Sequence, residues 1–135
     1  MLVDRTINEL TEGLRQKDFT IADLVEECYV NIEKYNSDIN AFVTIRDKDE
    51  VLREAKEKNK NLQNAKSFLF GLPFIIKDSK NTKGIRTTCA SNVLKNYFSP
   101  YNATVYQKLI DAGAILIGKT NMDAWGHGAS SENTD

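Results

Sequence analysis

The chain contains little of what several protein classes depend on. Two cysteines among 135 residues exclude a scaffold held together by disulfides. A single histidine, without a Cys/His cluster around it, gives no metal-ligand pattern. No apolar run reaches the roughly 18 residues that a membrane-spanning helix needs, and the first residues lack the basic flank of a secretory signal. With 18 basic and 19 acidic residues, the chain has no general attraction to nucleic acid. We therefore expect a cytoplasmic protein that does not bind membranes.

What remains is the composition of a soluble globular protein. Apolar residues make up 41% of the chain and charged residues 27%, with only two prolines and seven glycines. This length allows one hydrophobic core but not two, because a chain of this size buries about two-thirds of its unfolded surface. We therefore expect residues 1–135 to belong to a single domain.

The first half of the chain, residues 1–66, is predicted to be mainly helical. Thr20 begins a Thr-x-x-Asp pattern typical of a capped helix start. The apolar residues that follow fall on one helical stripe: Ile21, Leu24, Val25, Cys28, Tyr29 and Ile32. Residues 41–45 are β-branched and apolar, which indicates a strand, and Asp47 then opens a further helix that ends near Asn61.

The second half, residues 67–135, alternates strands and helices. Pro73 to Lys77 is a short apolar run that predicts a buried strand, and Ala114 to Ile117 predicts another. Between them, Asn102 is expected to cap a helix that directs Val105 inward and is closed by Gly113. A strand–helix–strand order favours a βαβ unit and a partly parallel sheet, so the predicted class is α/β.

Lys77 is the most unusual residue by position, because it directly follows two isoleucines of a predicted strand. Burial disfavours the charged form of a lysine, and a neutral lysine is a usable general base. We therefore predict that Lys77 is largely buried. The alternative is a strand-end lysine whose amine extends into water.

Other candidates have weaker patterns. Cys89 could act as a nucleophile, but no activating partner is evident in the sequence, which favours a structural role. The Gly126-x-Gly128 pair precedes no predicted helix and is therefore not a dinucleotide fingerprint. Ser130 and Ser131 could donate to a substrate carbonyl or simply close turns. We predict no metal site, because His127 stands alone.

Several segments in order resemble the motifs of the amidase signature family. Gly71-Leu-Pro-Phe-Ile-Ile-Lys-Asp78 resembles the family's G-[IV]-P-[IV]-x-[IV]-K-D motif, and Thr87-Thr-Cys-Ala-Ser91 resembles T-T-C-A-S. Further on, Gly118-Lys-Thr-Asn-Met-Asp123 resembles G-K-T-N-M-D, and Gly128-Ala-Ser-Ser-Glu-Asn133 resembles G-S-S-T-E-N. Within the family, the helical first half is most similar to the A subunits of tRNA-dependent amidotransferases, including Ile39-Asn-Ala-Phe-Val43.

The resemblance implies a fold and a mechanism. The fold would be N-terminal helices followed by the first part of the mixed amidase-signature sheet with its flanking helices, an incomplete fold. The mechanism would use a Ser–cis-Ser–Lys triad, in which Lys77 is the catalytic lysine and general base. The substrate pocket would be bordered by the loop that contains Gly126, His127, Gly128, Ser130 and Ser131.

The resemblance also implies partners. In these amidotransferases, the glutaminase releases ammonia from glutamine. Its partners, subunits B and C, use that ammonia to convert Glu-tRNA(Gln) or Asp-tRNA(Asn) to Gln-tRNA(Gln) or Asn-tRNA(Asn). Transfer RNA would be contacted indirectly, through the complex. No cofactor is expected in this chain, whereas ATP and Mg²⁺ are expected in the partner protein of the complex.

The sequence also departs from the family pattern. The two triad serines lie downstream of the Ser-Ser-Glu-Asn loop in the family, and no Gly-Gly-Ser-Ser-Gly-Gly-Ser run occurs in residues 1–135. Ala124-Trp-Gly-His127 replaces the Glu-Phe-Ala-Met that is usual in the amidotransferase members. We therefore expect the N-terminal part of an amidase that is inactive alone. The alternatives are a free-standing amidase of the same family or a non-catalytic truncated remnant that acts as a binding module.

Overall fold

The computed structural model describes residues 1–130 and 132–134 as four α-helices and a three-stranded sheet. The helices are α1 (Ile7–Gln16), α2 (Ile21–Ile39), α3 (Lys48–Asn61) and α4 (Thr104–Asp111). The strands are β1 (Phe42–Ile45), β2 (Pro73–Lys77) and β3 (Ile115–Thr120). Among the described residues, none of the helices is both long and apolar enough to cross a membrane.

Local side-chain chemistry fixes the starts of the first helices. Thr6 and Thr20 each accept a hydrogen bond from the backbone N–H three residues on, and the acidic side chains of Glu9 and Asp23 accept from the backbone N–H of these threonines. Each pair satisfies two backbone donors that the first turn would leave without partners. Asp47 caps α3 by accepting from Glu50 N at 2.9 Å. The predicted starts of α2 and α3 are therefore confirmed.

The larger of two hydrophobic clusters joins the helices to the sheet. The predicted stripe of α2 lies at its centre, where Leu24 is 1% exposed and Val25 is fully buried. Val51 and Ala55 of α3 and Ile115 and Ile117 of β3 complete the contact surface. Burying an aliphatic side chain of this size contributes about 1.5–3 kcal/mol, so this cluster holds the helical half against one face of the sheet.

The sheet has the order β1-β3-β2, with β3 in the centre. β2 and β3 are parallel, and α4 lies between them in the chain, which confirms the predicted βαβ unit. β1 pairs with β3 in the antiparallel direction, so the sheet is mixed and the α/β class is confirmed. A smaller cluster of Ile76, Leu116 and Tyr106 packs α4 against the face opposite the larger cluster.

β3 contains a bulge that changes which face its side chains occupy. Phe74 pairs with Leu116, but the next residue, Ile75, pairs with Gly118, so Ile117 has no counterpart on β2. Strand side chains alternate between faces, and one extra residue therefore shifts the alternation. Lys119 is consequently in register with Ile76 and lies on the face of the smaller cluster. Without the bulge, it would lie on the face of the larger cluster, as Ile117 does.

Some sequence predictions in this region are wrong. Asn102 does not cap α4, because its side-chain oxygen accepts from Lys83 N instead, at 2.7 Å, and the residue at the cap is Ala103. Val105 is 48% exposed, whereas Tyr106 is the buried residue of α4. The predicted second strand ends too early, since β3 continues to Thr120. Gly113 closes α4 as predicted, with φ at +85°.

We predict that Leu24→Ala lowers the free energy of unfolding by about 2–5 kcal/mol, because it leaves a cavity in the larger cluster. Val30→Ala on the same helix is the matched control. Val30 is 49% exposed, so its truncation should change stability by less than about 0.5 kcal/mol. Urea unfolding followed by circular dichroism measures both variants. Equal stabilities of the two variants would contradict the packing described here.

Candidate functional site

The candidate site lies where the parallel strands β2 and β3 end. Their last residues, Lys77 and Thr120, are paired in register, and the chain continues from each into a loop. Ligand sites of α/β sheets occur at this edge, because the loops that leave parallel strands converge there. The loop after β2 contains the Thr87–Ser91 segment, and the loop after β3 contains Gly126–Ser130.

The predicted burial of Lys77 is wrong, because its side chain is exposed in this structure. The residue ends β2, which is at the edge of the sheet, and alternation places it on the same face as Ile75, itself 52% exposed. Among the described residues, no hydrogen bond or ion pair of the Lys77 side chain is found. The lysine therefore stands at the sheet edge with its amine accessible, as in the alternative interpretation of a strand-end lysine.

The buried lysine of this region is Lys119 on β3. Its side chain is fully buried, and its amine donates to three acceptors: the Lys80 carbonyl oxygen at 2.7 Å, Thr87 Oγ1 at 2.9 Å and Thr82 Oγ1 at 3.1 Å. An ammonium group has three N–H donors, whereas a neutral amine has two and a lone pair. Three acceptors around one amine therefore favour the charged form of Lys119.

The counter-ion of Lys119 is Asp78, the residue that follows Lys77. Its Oδ1 lies 3.4 Å from Lys119 Nζ, and both side chains are fully buried. Its other oxygen, Oδ2, accepts from the Thr88 backbone N–H at 2.9 Å, from the Thr88 hydroxyl and from Ala90 N at 3.4 Å. A buried charge is costly unless it is paired and hydrogen-bonded, and both conditions are met here.

The loop of residues 78–91 wraps around this ion pair. Asp78, Thr82, Thr87 and Thr88 provide side chains to it, and the loop returns to its own start where Cys89 N donates to the Asp78 carbonyl oxygen at 3.4 Å. Cys89 and Ala90 adopt φ values of +51° and +50°, which L-residues rarely do. The ion pair thus fixes the conformation of a segment that carries local backbone strain.

Burial is the largest influence on the pKa of Lys119 and on that of the thiol beside it. Burial lowers the pKa of Lys119, and the charge of Asp78 acts in the opposite direction. Burial also raises the pKa of Cys89, and the Asp78 carboxylate raises it further. A thiol with a raised pKa is a poor nucleophile, which supports the structural role predicted for Cys89.

The predicted pocket residues lie in a loop held closed at its base by Asp123. Asp123 Oδ1 accepts from Asn133 N at 3.2 Å, and Ala124 N donates to the Asn133 carbonyl oxygen at 2.7 Å. Four of the predicted pocket residues lie between these contacts and are exposed, namely Gly126, His127, Gly128 and Ser130. The fifth, Ser131, lies outside the described residues. A Cβ on Gly128 would come within 2.4 Å of the Asp123 carboxyl carbon, so only glycine fits there.

One backbone contact connects the two loops of the site. Trp125 N donates to the Cys89 carbonyl oxygen at 3.0 Å. The structure therefore places the predicted pocket loop next to the strained turn at Cys89. It does not bring Lys77 into contact with any of Gly126, His127, Gly128 or Ser130 among the described hydrogen bonds and ion pairs.

One hollow lies near this edge of the sheet, and another lies along the first part of β2. The first, of about 250 Å³, is polar and is lined by residues of both loops and of β1, including Arg86, Thr88, Ser91 and Asn121. The other, of about 470 Å³, is apolar and is lined by Ile75 together with residues of α2 and β1.

In the part of the chain that the structure describes, no group of three His, Cys, Asp or Glu side chains is arranged to hold a metal ion.

Sequence reasoning missed the Asp78–Lys119 pair, although a signal for it is present. The argument that a lysine after consecutive apolar strand residues is costly applies equally to Lys119, which follows Ala114 to Ile117 and Gly118. The sequence prediction ends that strand at Ile117 and so leaves Lys119 in a loop. The burial argument is therefore sound, but the structure applies it to Lys119 rather than to Lys77.

Comparison with known proteins identifies the family. The family model described as Amidase matches residues 23–134 of this chain. The chain belongs to the amidase family. The matched range contains β2, β3, the loop of residues 78–91 and the Asp78–Lys119 pair, so the ordered motifs seen in the sequence are confirmed as an amidase resemblance.

Relatives with high similarity share a more specific description, the A subunit of glutamyl-tRNA(Gln) amidotransferase. The protein of this description from Sulfurisphaera tokodaii is 49% identical over 128 residues, which cover 95% of this chain and 26% of the relative. The human mitochondrial protein is 42% identical over 132 residues, covering 96% and 25%. The solved structure from Thermotoga maritima has a TM-score of 0.76 at 30% identity, covering 99% and 26%. The chain thus spans about a quarter of the length of these relatives.

We predict that Thr87→Val lowers the free energy of unfolding of this amidase-family chain by about 1–3 kcal/mol, because it removes an acceptor from a buried ammonium without changing the side-chain shape much. Thr104→Val is the matched control, since Thr104 is exposed in the first turn of α4. Urea unfolding compares the two variants. If the Thr87 variant were as stable as the control, the hydrogen bond to Lys119 would contribute nothing.

Proposed function

We propose that this chain is the N-terminal part of the glutamine-hydrolysing component of a tRNA-dependent amidotransferase that works in the cytoplasm. The observation that carries the proposal is the 49% identity, across 95% of the chain, to the glutamyl-tRNA(Gln) amidotransferase protein of Sulfurisphaera tokodaii. The identity extends through the helical half, and the amidotransferase resemblance in the sequence includes that half as well as the β2 and β3 motifs.

In this proposal Lys77 is the general base of a Ser–cis-Ser–Lys triad. Its neutral amine takes a proton through the bridging serine, and the nucleophilic serine attacks the carbonyl carbon of the glutamine side-chain amide. The proton then returns through the bridging serine to the leaving nitrogen as the C–N bond breaks, ammonia leaves, and water hydrolyses the acyl-enzyme to glutamate and the free serine. Both serines would lie outside residues 1–135. The exposure of Lys77 is compatible with this role, since an accessible amine at the end of β2 can meet groups from another segment.

The loop of Gly126 to Ser131 would border the glutamine pocket. Its attachment to the Cys89 turn through Trp125 N supports this role, because a rim needs a fixed base beside the strand ends. Subunits B and C would receive the ammonia and amidate the glutamate or aspartate carried by tRNA. ATP and Mg²⁺ would activate that carboxylate in the partner protein.

A free-standing amidase of the same family is the second candidate. Ala124-Trp125-Gly126-His127 favours it, because this stretch differs from the usual amidotransferase sequence in the loop that borders the pocket. The two candidates differ in substrate and partners. Copurification of subunits B and C with the complete gene product, together with glutamine-dependent ammonia release, supports the amidotransferase. Hydrolysis of small amides without partners supports the free-standing enzyme.

We predict that Lys77→Ala in the complete gene product lowers ammonia release from glutamine by about a thousand-fold or more, because triad members act as a unit. Lys80→Ala is the matched control, since Lys80 is a lysine in the same turn whose backbone carbonyl, not its side chain, contacts Lys119. Circular dichroism checks that both variants fold. A folded Lys77 variant with normal turnover would show that another group is the base.

We also predict that the 135-residue chain alone releases no ammonia from glutamine, because a lysine without its serines cannot form an acyl-enzyme. Cys89 is a poor substitute nucleophile, since burial raises its pKa. The measurement is ammonia release from the purified chain at high concentration. Steady release that is lost in the Lys77→Ala variant would refute the assignment of the nucleophile to a segment outside these residues.

A further inference from the structure

Arg86 lies in the loop that follows β2 and lines the polar hollow of about 250 Å³. The residue is half-buried, and its guanidinium is held against β1. Nη2 donates to the Val43 carbonyl oxygen at 2.8 Å, and Nε donates to Thr44 Oγ1 at 3.3 Å. These bonds use two of the five N–H groups of a guanidinium, so the other three have no acceptor among the described residues.

The charge of Arg86 is also unbalanced. A partly buried cation is costly unless a counter-ion accompanies it. Arg46, another half-buried arginine, has such a partner: it donates to the Leu116 carbonyl oxygen at 3.0 Å and pairs with Glu54 Oε2 at 3.0 Å. In the part of the chain that the structure describes, no carboxylate forms an ion pair with Arg86. Arg86 therefore lacks there the counter-ion that Arg46 has.

The described walls of the hollow carry positive charge only. Lys95 lines it together with Arg86, and the other described lining residues include no Asp or Glu. The remaining polar walls consist of amide and hydroxyl side chains, such as those of Asn40 and Asn121, which can donate to an anion. The hollow therefore presents two cations and neutral hydrogen-bonding groups to whatever enters it.

We infer that this hollow binds a phosphate monoester group, with Arg86 as its principal ligand and Lys95 as the second positive charge. A phosphate monoester carries about two negative charges at neutral pH, which two cations balance, whereas a carboxylate carries only one. Arginine grips phosphate oxygens through paired N–H groups, and lysine acts as a point charge. The hollow is smaller than the pockets of about 300–1,000 Å³ that hold drug-sized ligands, so it fits a phosphate group rather than a whole nucleotide.

The hollow shares a loop with the candidate site. Thr88, Ala90 and Ser91 all line it, and Thr88 also donates to the Asp78 carboxylate through its backbone N–H at 2.9 Å. A ligand that binds only the folded loop would stabilise it by mass action. Phosphate binding requires only this loop and β1, so it does not depend on whether Lys77 is a catalytic base.

Protection of Arg86 from phenylglyoxal tests the site in the unaltered protein. This reagent modifies arginine side chains, and peptide mass spectrometry of the complete gene product reads each arginine separately. Methyl phosphate at about ten times its Kd should slow modification of Arg86 about ten-fold, because only the empty site reacts. Arg53, an exposed arginine of α3, should be modified at an unchanged rate. No protection by methyl phosphate, or equal protection by acetate at the same concentration, would overturn the inference.

Substitutions assign the two cations, with binding of methyl phosphate measured by isothermal titration calorimetry. Arg86→Lys keeps the charge but loses the paired N–H groups, and should weaken binding about ten-fold or more. Lys95→Gln should weaken it by about two- to five-fold, as expected for an exposed cation. Lys83→Gln is the matched control, since Lys83 is an exposed lysine of the same loop that does not line the hollow.

Arg86 also holds β1, so its variant can lose stability as well as binding. Lys95 is exposed, and its variant should fold in any case. If Arg86→Lys does not fold, the protection experiment on the unaltered protein and the comparison of Lys95→Gln with Lys83→Gln decide. Equal affinities of those two lysine variants would then overturn the assignment of Lys95 to the site.

Asp135 lies outside the described residues, so its carboxylate is tested directly. Asp135→Asn should not change the rate at which phenylglyoxal modifies Arg86 in the absence of added anion. A faster rate in this variant would show that the chain supplies its own counter-ion, and would overturn the inference.

Two RNA oligonucleotides of one sequence, with a 5′ phosphate or a 5′ hydroxyl, distinguish the sources of the phosphate group. Protection of Arg86 by the phosphorylated RNA alone would identify an RNA end as the ligand. Protection by methyl phosphate and by neither RNA would identify a small phosphorylated molecule. Equal protection by both RNAs without protection by methyl phosphate would overturn the assignment to a monoester.

Discussion

The buried ammonium of Lys119 is the constraint on which the candidate site depends. Three N–H donors inside a protein require three acceptors, and here all of them come from a single loop that begins one residue after β2. A threonine-rich loop meets that requirement with side chains small enough to pack around the amine. The loop is thereby closed on itself and holds Cys89 and Ala90 in backbone conformations that would be unfavourable alone. The conformation of the loop at the site therefore follows from the need to provide hydrogen-bond acceptors for the Lys119 ammonium.

The two faces of the sheet are covered in different ways. The face toward α2 and α3 carries the larger apolar cluster, while α4 covers the other face with only a small one. The ion pair continues this second face at the point where apolar contacts end. A polar interior therefore begins where the strands stop, and hydrogen bonds to the ion pair hold the loop that leaves β2.

The sequence predicts those parts of the fold that depend on neighbouring residues. The helix start at Thr20, the bounds of the strand from Pro73 to Lys77 and the stop at Gly113 all follow from patterns a few residues long, and all three are confirmed. The predicted burial of that strand is wrong, because β2 lies at the edge of the sheet and only Ile76 is buried. The position of Lys119 does not follow in this way, because it depends on a bulge that exists only once two strands are paired. The prediction that Lys77 is buried fails for a related reason, since the topology of the whole sheet decides whether a strand lies at its edge. The motif resemblance points to this end of the sheet, but it does not tell the exposed lysine from the buried one.

The bulge at Ile117 makes the sidedness of β3 change partway along its length. Before it, the isoleucines face the helical half, and after it a residue of the same parity faces the opposite side. Gly118 permits this crossing, because a Cβ there would lie 2.5 Å from the Thr44 carbonyl oxygen. Removing one residue at this point would therefore do more than shorten the strand. It would exchange the two faces for everything that follows, so that the ammonium entered the apolar cluster and the threonine loop lost the charge around which it closes.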